Sequence, residues 1–238
     1  MRSGMGRKIL ITAGPTREPI DPVRFISNYS TGTLGYTLAA LARRRGYQVV
    51  LISGPTELPC PKGVRRISVE TAAQMQAEVA KAFPKADALI MSAAVADFRP
   101  LRVANQKIKR SGAAGSLRLW QLELVENPDI VAEAASRRRP TQAVVAFALE
   151  TQELLANARR KLKTKDLDAI VATRYFPKRQ GCGPFGKEPV EGAILDRKGR
   201  IATFRSLPKD HLAARILGTV EQILEERALR SSNSRSTR

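Results

Sequence analysis

A doubly wound, Rossmann-like α/β fold, with a mostly parallel sheet and helices on both faces, is predicted by two features of this 238-residue sequence. Short apolar runs rich in β-branched residues recur along the chain, and several of them end in Gly, Ser or Pro. Between them lie segments whose apolar residues fall at helical spacing, so the order reads strand, helix, strand, the βαβ signature of a parallel sheet.

The elements follow in order. Residues 8–13 (KILITA), closed by Gly14-Pro15, form the first buried strand. Residues 32–45 place Leu34, Leu38, Leu41 and Ala42 on one helical face, and Gly46 stops that helix. A second strand, 48–53 (QVVLIS), precedes a strand at 64–69, a helix at 72–83 and a strand at 88–91. Later come a strand at 143–147, a helix at 151–165 and a strand at 169–172, all accommodated by one continuous sheet. Two segments break the rhythm. Residues 100–115 are polar, basic and too long for an ordinary connection, and read as a mobile loop or active-site flap. Residues 194–204 place Arg197-Lys198-Gly199 between two strand-like runs, and read as a β-hairpin forming a peripheral lobe or dimerisation arm. A helix from 210 to about 227 closes a domain spanning 7–228, and 229–238 read as a disordered basic tail.

Composition narrows the function. The hydrophobic share of 43% supports a folded core, and no run approaches the length of a membrane span. With no signal-peptide pattern, a cytoplasmic protein is expected. Cys60 and Cys182 are the only cysteines and His211 the only histidine, which argues against a zinc site, a disulfide framework or histidine-based catalysis. The net charge of +19 suits phosphorylated ligands, RNA or an anionic membrane surface alike. Its clusters at 43–45, 137–139 and the C-terminus are not interleaved with base-stacking aromatics, so neither nucleic acid nor membrane is expected as a partner.

In such a sheet ligands bind beyond the C-terminal ends of the strands, so the loops after 13, 53, 91, 147 and 172 should carry the chemistry. The first loop, 14–35, runs GPTREPIDPVRFISNYSTGTLG into a helix start whose free N–H groups and positive dipole end suit a phosphate. A dehydrogenase fits poorly: the G-x-G-x-x-G motif is missing, and the second strand ends in Ser53-Gly54-Pro55, where a ribose-binding acid would stand.

The run 14–28 with Ser30-Thr31-Gly32 closely resembles the opening signature of phosphopantothenoylcysteine synthetases. Residues 93–98 (AAVADF), 107–109 (KIK), 127–130 (NPDI), 147–151 (FALET) and the pair Lys161 and Lys165 fall in the family's order. The resemblance covers about 7–228, and the chain resembles the ligase half of a protein that in bacteria usually follows a flavin-dependent decarboxylase. It implies a two-step ligation. The carboxylate of 4'-phosphopantothenate attacks the α-phosphate of CTP, giving an acyl-cytidylate and pyrophosphate, and the amine of L-cysteine then displaces CMP. It also implies a homodimer and Mg²⁺ riding on the triphosphate. Neither step needs an enzyme nucleophile, so positioning and charge neutralisation would carry the rate.

By the same resemblance, Asn28 holds the substrate and acyl-nucleotide carbonyl, Arg24 serves the cysteine-addition step, and Lys107 closes over the activated phosphate. Met91, Ser92 and Ala93 line the nucleotide, with Ala93 also at the substrate, and Asp97 stands at the ribose or metal side. Asn127, Pro128, Asp129, Ile130, Phe147, Lys161 and Lys165 complete the cytidine and triphosphate pocket, the two lysines one helical turn apart. Taken singly, these residues are ordinary: helix charges, a turn amide, a core aromatic. Their shared order is what points to a site. The chain departs from the family pattern at Thr173-Arg174, around 185–190, and at Thr31 and Thr33. A copy that binds nucleotide without catalysis is the competing expectation.

Overall fold

The computed structural model describes residues 6–109, 120–175, 186 and 188–236. Along the chain run β1 (Lys8–Ala13), β2 (Arg17–Pro19), β3 (Phe25–Ser27), α1 (Thr33–Arg44), β4 (Gln48–Ser53), β5 (Arg65–Ser68) and α2 (Ala72–Ala82). A 3₁₀ turn at Phe83–Lys85, with Pro84 ending helical bonding, leads to β6 (Ala88–Met91), β7 (Phe98–Pro100), β8 (Leu124–Glu126) and α3 (Ile130–Ser136). Then follow β9 (Ala143–Glu150), α4 (Leu154–Thr164), β10 (Ala169–Arg174), β11 (Val190–Asp196), β12 (Ile201–Leu207) and α5 (Lys209–Ser236).

The main sheet has eight strands in the order β12-β11-β10-β9-β6-β1-β4-β5. From β5 to β10 every pairing is parallel; β11 and β12 join antiparallel. Chain order runs outward in both directions from β1, toward β4 and β5 on one side and β6, β9 and β10 on the other. The switch point therefore lies between β1 and β6, where the diverging loops leave a crevice.

Alternation along each strand builds two cores. Ile9, Ile11, Leu51, Ile90, Val145 and Val171 face α1 and α5, where Leu38, Ala42, Leu212, Ile216 and Val220 meet them. Leu10, Ile52, Leu89, Val144 and Ile170 face the opposite layer, with Met75 of α2, Val131 of α3 and Ala158 of α4. Each Leu, Ile, Val or Met among them contributes about 1.5–3 kcal/mol by leaving water.

Several expectations are corrected. The hairpin expected at 194–204 is longer, and it is no separate lobe or arm: β11 pairs with β10 from Ala169↔Asp196 to Thr173↔Gly192, and Ala193, Ile194 and Leu195 are buried in the cores. A buried strand flanked on both sides cannot serve as a protruding arm. Strands expected at 143–147 and 169–172 run on to Glu150 and Arg174, and the helix expected from 151 starts at Leu154. The last helix continues to Ser236, through most of the segment read as an unstructured tail. Two antiparallel ribbons not foreseen from sequence, β2–β3 and β7–β8, stand at the sheet's C-terminal side. The second supports the excursion expected to be a flap, of which 100–109 are described and 110–115 lie outside the described residues.

Candidate active site

A cleft of about 700 Å³ opens at the switch point beyond β1, β6 and β9. Its floor is the segment following β6. Ala93 N–H donates to Thr12 Oγ1 (3.1 Å), Ser92 Oγ donates to the Thr12 carbonyl, and Ala94 N–H donates to the Gly14 carbonyl (2.9 Å). Met91, Ser92 and Ala93 line the cleft as expected, fixed against the first loop by these bonds.

One wall is the start of α1. Gly32 caps it at φ 78°, a left-handed conformation that glycine adopts without the usual Cβ penalty, and no side chain caps the helix. The helix itself cannot satisfy its first-turn N–H groups, so these and the helix dipole are available to an anion. Close packing puts this turn at the floor: a Cβ on Gly35 would lie 2.5 Å from Ala13 Cβ and 2.8 Å from Ser92 Oγ.

Asn28, just past β3, lines the cleft, and its Nδ2 donates to the carbonyls of Ala94 (3.1 Å) and Val95 (3.2 Å). Both amide hydrogens are thus spent on holding the loop against the floor, and Oδ1 is the group left to accept.

The opposite wall carries Asp97, Asn127, Pro128, Asp129, Ile130 and Phe147. Asn127 is structural in part: its Nδ2 donates to the Ala96 carbonyl (2.8 Å) and its Oδ1 accepts from Arg99 (3.0 Å). Asp129 caps α3 through Ala132 N–H (3.1 Å). Lys161 and Lys165 both reach the cleft, but each ammonium is already paired, Lys161 with Glu150 (2.7 Å) and Lys165 with Asp129 (2.7 Å). Their net attraction for a triphosphate is lower than two free lysines would exert.

Two residues read as catalytic do not line the cleft. Arg24, in the turn between β2 and β3, gives its guanidinium to Asp21 and to the Ile108 carbonyl (2.9 Å). Lys107, the residue before Ile108, is exposed. Sequence reasoning missed Lys209, a buried cation at the start of α5 that lines the cleft and donates to the Gly186 carbonyl. Burial pushes its ammonium down to about 8, against the opposing pull of Glu188. Lys209 carried no signal: a lysine after Pro208 reads as a helix start. Glu150 falls inside the 147–151 motif, but its pairing with Lys161 was not foreseen.

Comparison with known proteins places the chain in a family. The family model described as the DNA/pantothenate metabolism flavoprotein C-terminal domain matches residues 5–224. The coenzyme A biosynthesis bifunctional protein CoaBC of Vibrio cholerae is 41% identical over 221 residues, 92% of this chain and 53% of that protein. The chain thus spans about half the length of the curated relatives it matches. Among solved structures, the C-terminal domain of a CoaBC superposes with TM-score 0.78 at 32% identity, covering 95% of this chain and all of that one. A Cab2 variant in complex with phosphopantothenate-cysteine shares the fold, with TM-score 0.70 at 18% identity over 95% of this chain and 89% of that one. The chain therefore belongs to the family of the DNA/pantothenate metabolism flavoprotein C-terminal domain.

Proposed function

We propose that this chain ligates 4'-phosphopantothenate to L-cysteine, using CTP through an acyl-cytidylate. The observation that carries this reading is the convergence, in one cleft at the switch point, of an uncapped helix start, the tethered 92–95 segment and two lysines across from them. Amides and ammonium groups so arranged suit a substrate with several phosphates and need no nucleophile of their own. The CoaBC relatives supply the substrate class: they are proteins of coenzyme A biosynthesis.

In the proposed reaction the first-turn amides of α1 hold phosphate, while Lys161 and Lys165 offset charge on the leaving pyrophosphate. Asn28 keeps the loop seated, and its Oδ1 accepts an N–H of the attacking cysteine amine. Among the described residues no group of three or more His, Cys, Asp or Glu is arranged to hold a metal by itself. The exposed cleft carboxylate of Asp97 is a hard oxygen donor that fits Mg²⁺ carried chiefly by phosphate oxygens. Bound there, the ion would neutralise the triphosphate and ease attack at the α-phosphorus. For the homodimer, the exposed Phe25, Tyr29, Phe98 and Leu124 on or beside the two ribbons replace the hairpin as the proposed surface.

The test is ligation by the purified protein with Mg²⁺, 4'-phosphopantothenate and cysteine, comparing CTP with ATP. Pyrophosphate release is followed, and product is identified by mass spectrometry. Product with CTP supports the whole reading, and product with ATP alone overturns the base assignment. With neither nucleotide active on folded protein, a binding-only copy becomes the better account.

A further inference from the structure

Asp21 is a buried carboxylate in the first loop, and both its oxygens are fully engaged. One accepts from Val23 N–H (2.9 Å) and Arg24 N–H (2.9 Å), forming the tight turn between β2 and β3. The other accepts from Arg24 Nε (3.0 Å), from Arg24 Nη2 and from Ile108 N–H (3.1 Å). Arg24 Nη2 in turn donates to the Ile108 carbonyl (2.9 Å), so the ion pair grips both polar groups of the residue after Lys107. Ala104 N–H adds a bond to the Ile20 carbonyl (3.0 Å), and the Arg24 guanidinium stacks 5.5 Å from the centre of the Trp120 ring. The Arg24 guanidinium also holds the Asp21 carboxyl well below the usual carboxylate range, so it remains charged across the working pH range.

This arrangement exceeds what a turn needs. A β-turn of this kind uses one acceptor oxygen for local N–H groups, whereas here the second oxygen reaches 87 positions along the chain. We propose that Asp21 is a positioning residue that docks the Lys107 segment onto the loop carrying Asn28, and thereby keeps nucleotide cleavage coupled to ligation. The inference rests on the reaction given under Proposed function. An acyl-nucleotide is lost whenever water reaches it first: the water oxygen adds to the acyl carbonyl and the bond to the phosphate oxygen breaks. Nucleoside monophosphate leaves with the electron pair, and phosphopantothenate is regenerated. Each such event releases pyrophosphate without product, so a first loop that loses its tie to Ile108, and with it the seat of Asn28 in the cleft, raises the pyrophosphate-to-product ratio.

Asp21→Asn separates the two tasks of the carboxylate. Its carbonyl oxygen still serves Val23 and Arg24 N–H, but its NH₂ faces the guanidinium and Ile108 N–H and cannot accept. The variant should fold, trypsin should cut after Lys107 and Lys109 roughly fivefold faster than in the wild type, and the ratio should rise from about one to about three or more. Ile108→Pro deletes the same long-range bond from the other side and keeps the proposal testable if Asp21→Asn fails to fold; the ratio should rise likewise, and faster cleavage is read after Lys109 alone, because trypsin does not cut a Lys-Pro bond. A role confined to folding lowers all rates together and leaves the ratio at one. A ratio near one in the folded variant, with or without faster proteolysis, overturns the proposal. Absence of product from the wild type overturns the ligase reading instead, while the proteolysis still reads whether Asp21 docks the segment.

Discussion

Gly35→Ala tests whether the packing of α1 on the cleft floor sets the chemistry. The added Cβ would sit 2.5 Å from Ala13 Cβ and 3.1 Å from Ala13 Cα. Ordinary carbon contacts need about 3.5–4.0 Å, so the first turn of α1 must move off β1 by about 1 Å or more. Ala13 is a fully buried strand residue and Ser92 Oγ is bonded to the Thr12 carbonyl, so the floor cannot yield cheaply. Overpacking costs about 1–3 kcal/mol, and replacing glycine within a helix returns about 1 kcal/mol. The net loss of about 0–2 kcal/mol lowers Tm by up to roughly 8 °C. Catalysis should suffer more, because about 1 Å of misplacement at phosphate-binding amides costs on the order of 10²-fold. Thermal unfolding by circular dichroism and kcat/KM from pyrophosphate release measure the two effects. Wild-type kcat/KM in a variant of unchanged Tm would refute the claim that this close contact positions the helix start.

Three further outcomes are expected. Asn28→Asp loses both bonds to the Ala94 and Val95 carbonyls and sets a carboxylate against them, so ligated product should fall by about 10²-fold while the nucleotide KM changes little; steady-state kinetics on both substrates decide it. Glu150→Gln frees Lys161 from its 2.7 Å partner, so the nucleotide KM should drop roughly two- to fivefold, equivalent to about 0.4–1 kcal/mol; a rise would show that Glu150 orients the lysine instead. Lys209 titrates at about 8 when folded against an ordinary 10.5, so between those values the unfolded chain binds more protons at this site and its contribution to stability rises with pH. Below 8 both states are protonated and its burial cost is constant. Urea titrations from pH 7 to 10.5 should therefore show wild-type stability rising relative to Lys209→Met; a constant difference would contradict the lowered value.

The parallel strands were legible because burial on both faces leaves continuous apolar runs such as KILITA and QVVLIS, which few other structures tolerate. The place of the 190–207 hairpin was not. Its residues specify two strands, yet only pairing with Ala169–Arg174 shows that it completes the sheet. The ribbons at Arg17–Pro19 and Phe98–Pro100 are three residues long, too short for alternation to register. Within the site, the residues that motif order singles out at Asn28, Met91–Ala93, Asp97, 127–130, Phe147 and both lysines line one cleft. What the linear order could not carry was the state of each group. Arg24 and Asp21 are three residues apart and could be read as a pair, but their shared hold on Ile108 depends on tertiary structure. The partners of Lys161 and Lys165 lie on other elements for the same reason.

The most direct test of the proposed acyl-cytidylate is oxygen transfer. With 4'-phosphopantothenate carrying ¹⁸O in its carboxylate, attack of that oxygen on the α-phosphorus and later expulsion by cysteine amine must leave one ¹⁸O in CMP and none in pyrophosphate. Mass spectrometry of the products should find this label in CMP; label appearing in pyrophosphate or inorganic phosphate instead, with unlabelled CMP, would contradict activation at the α-phosphate.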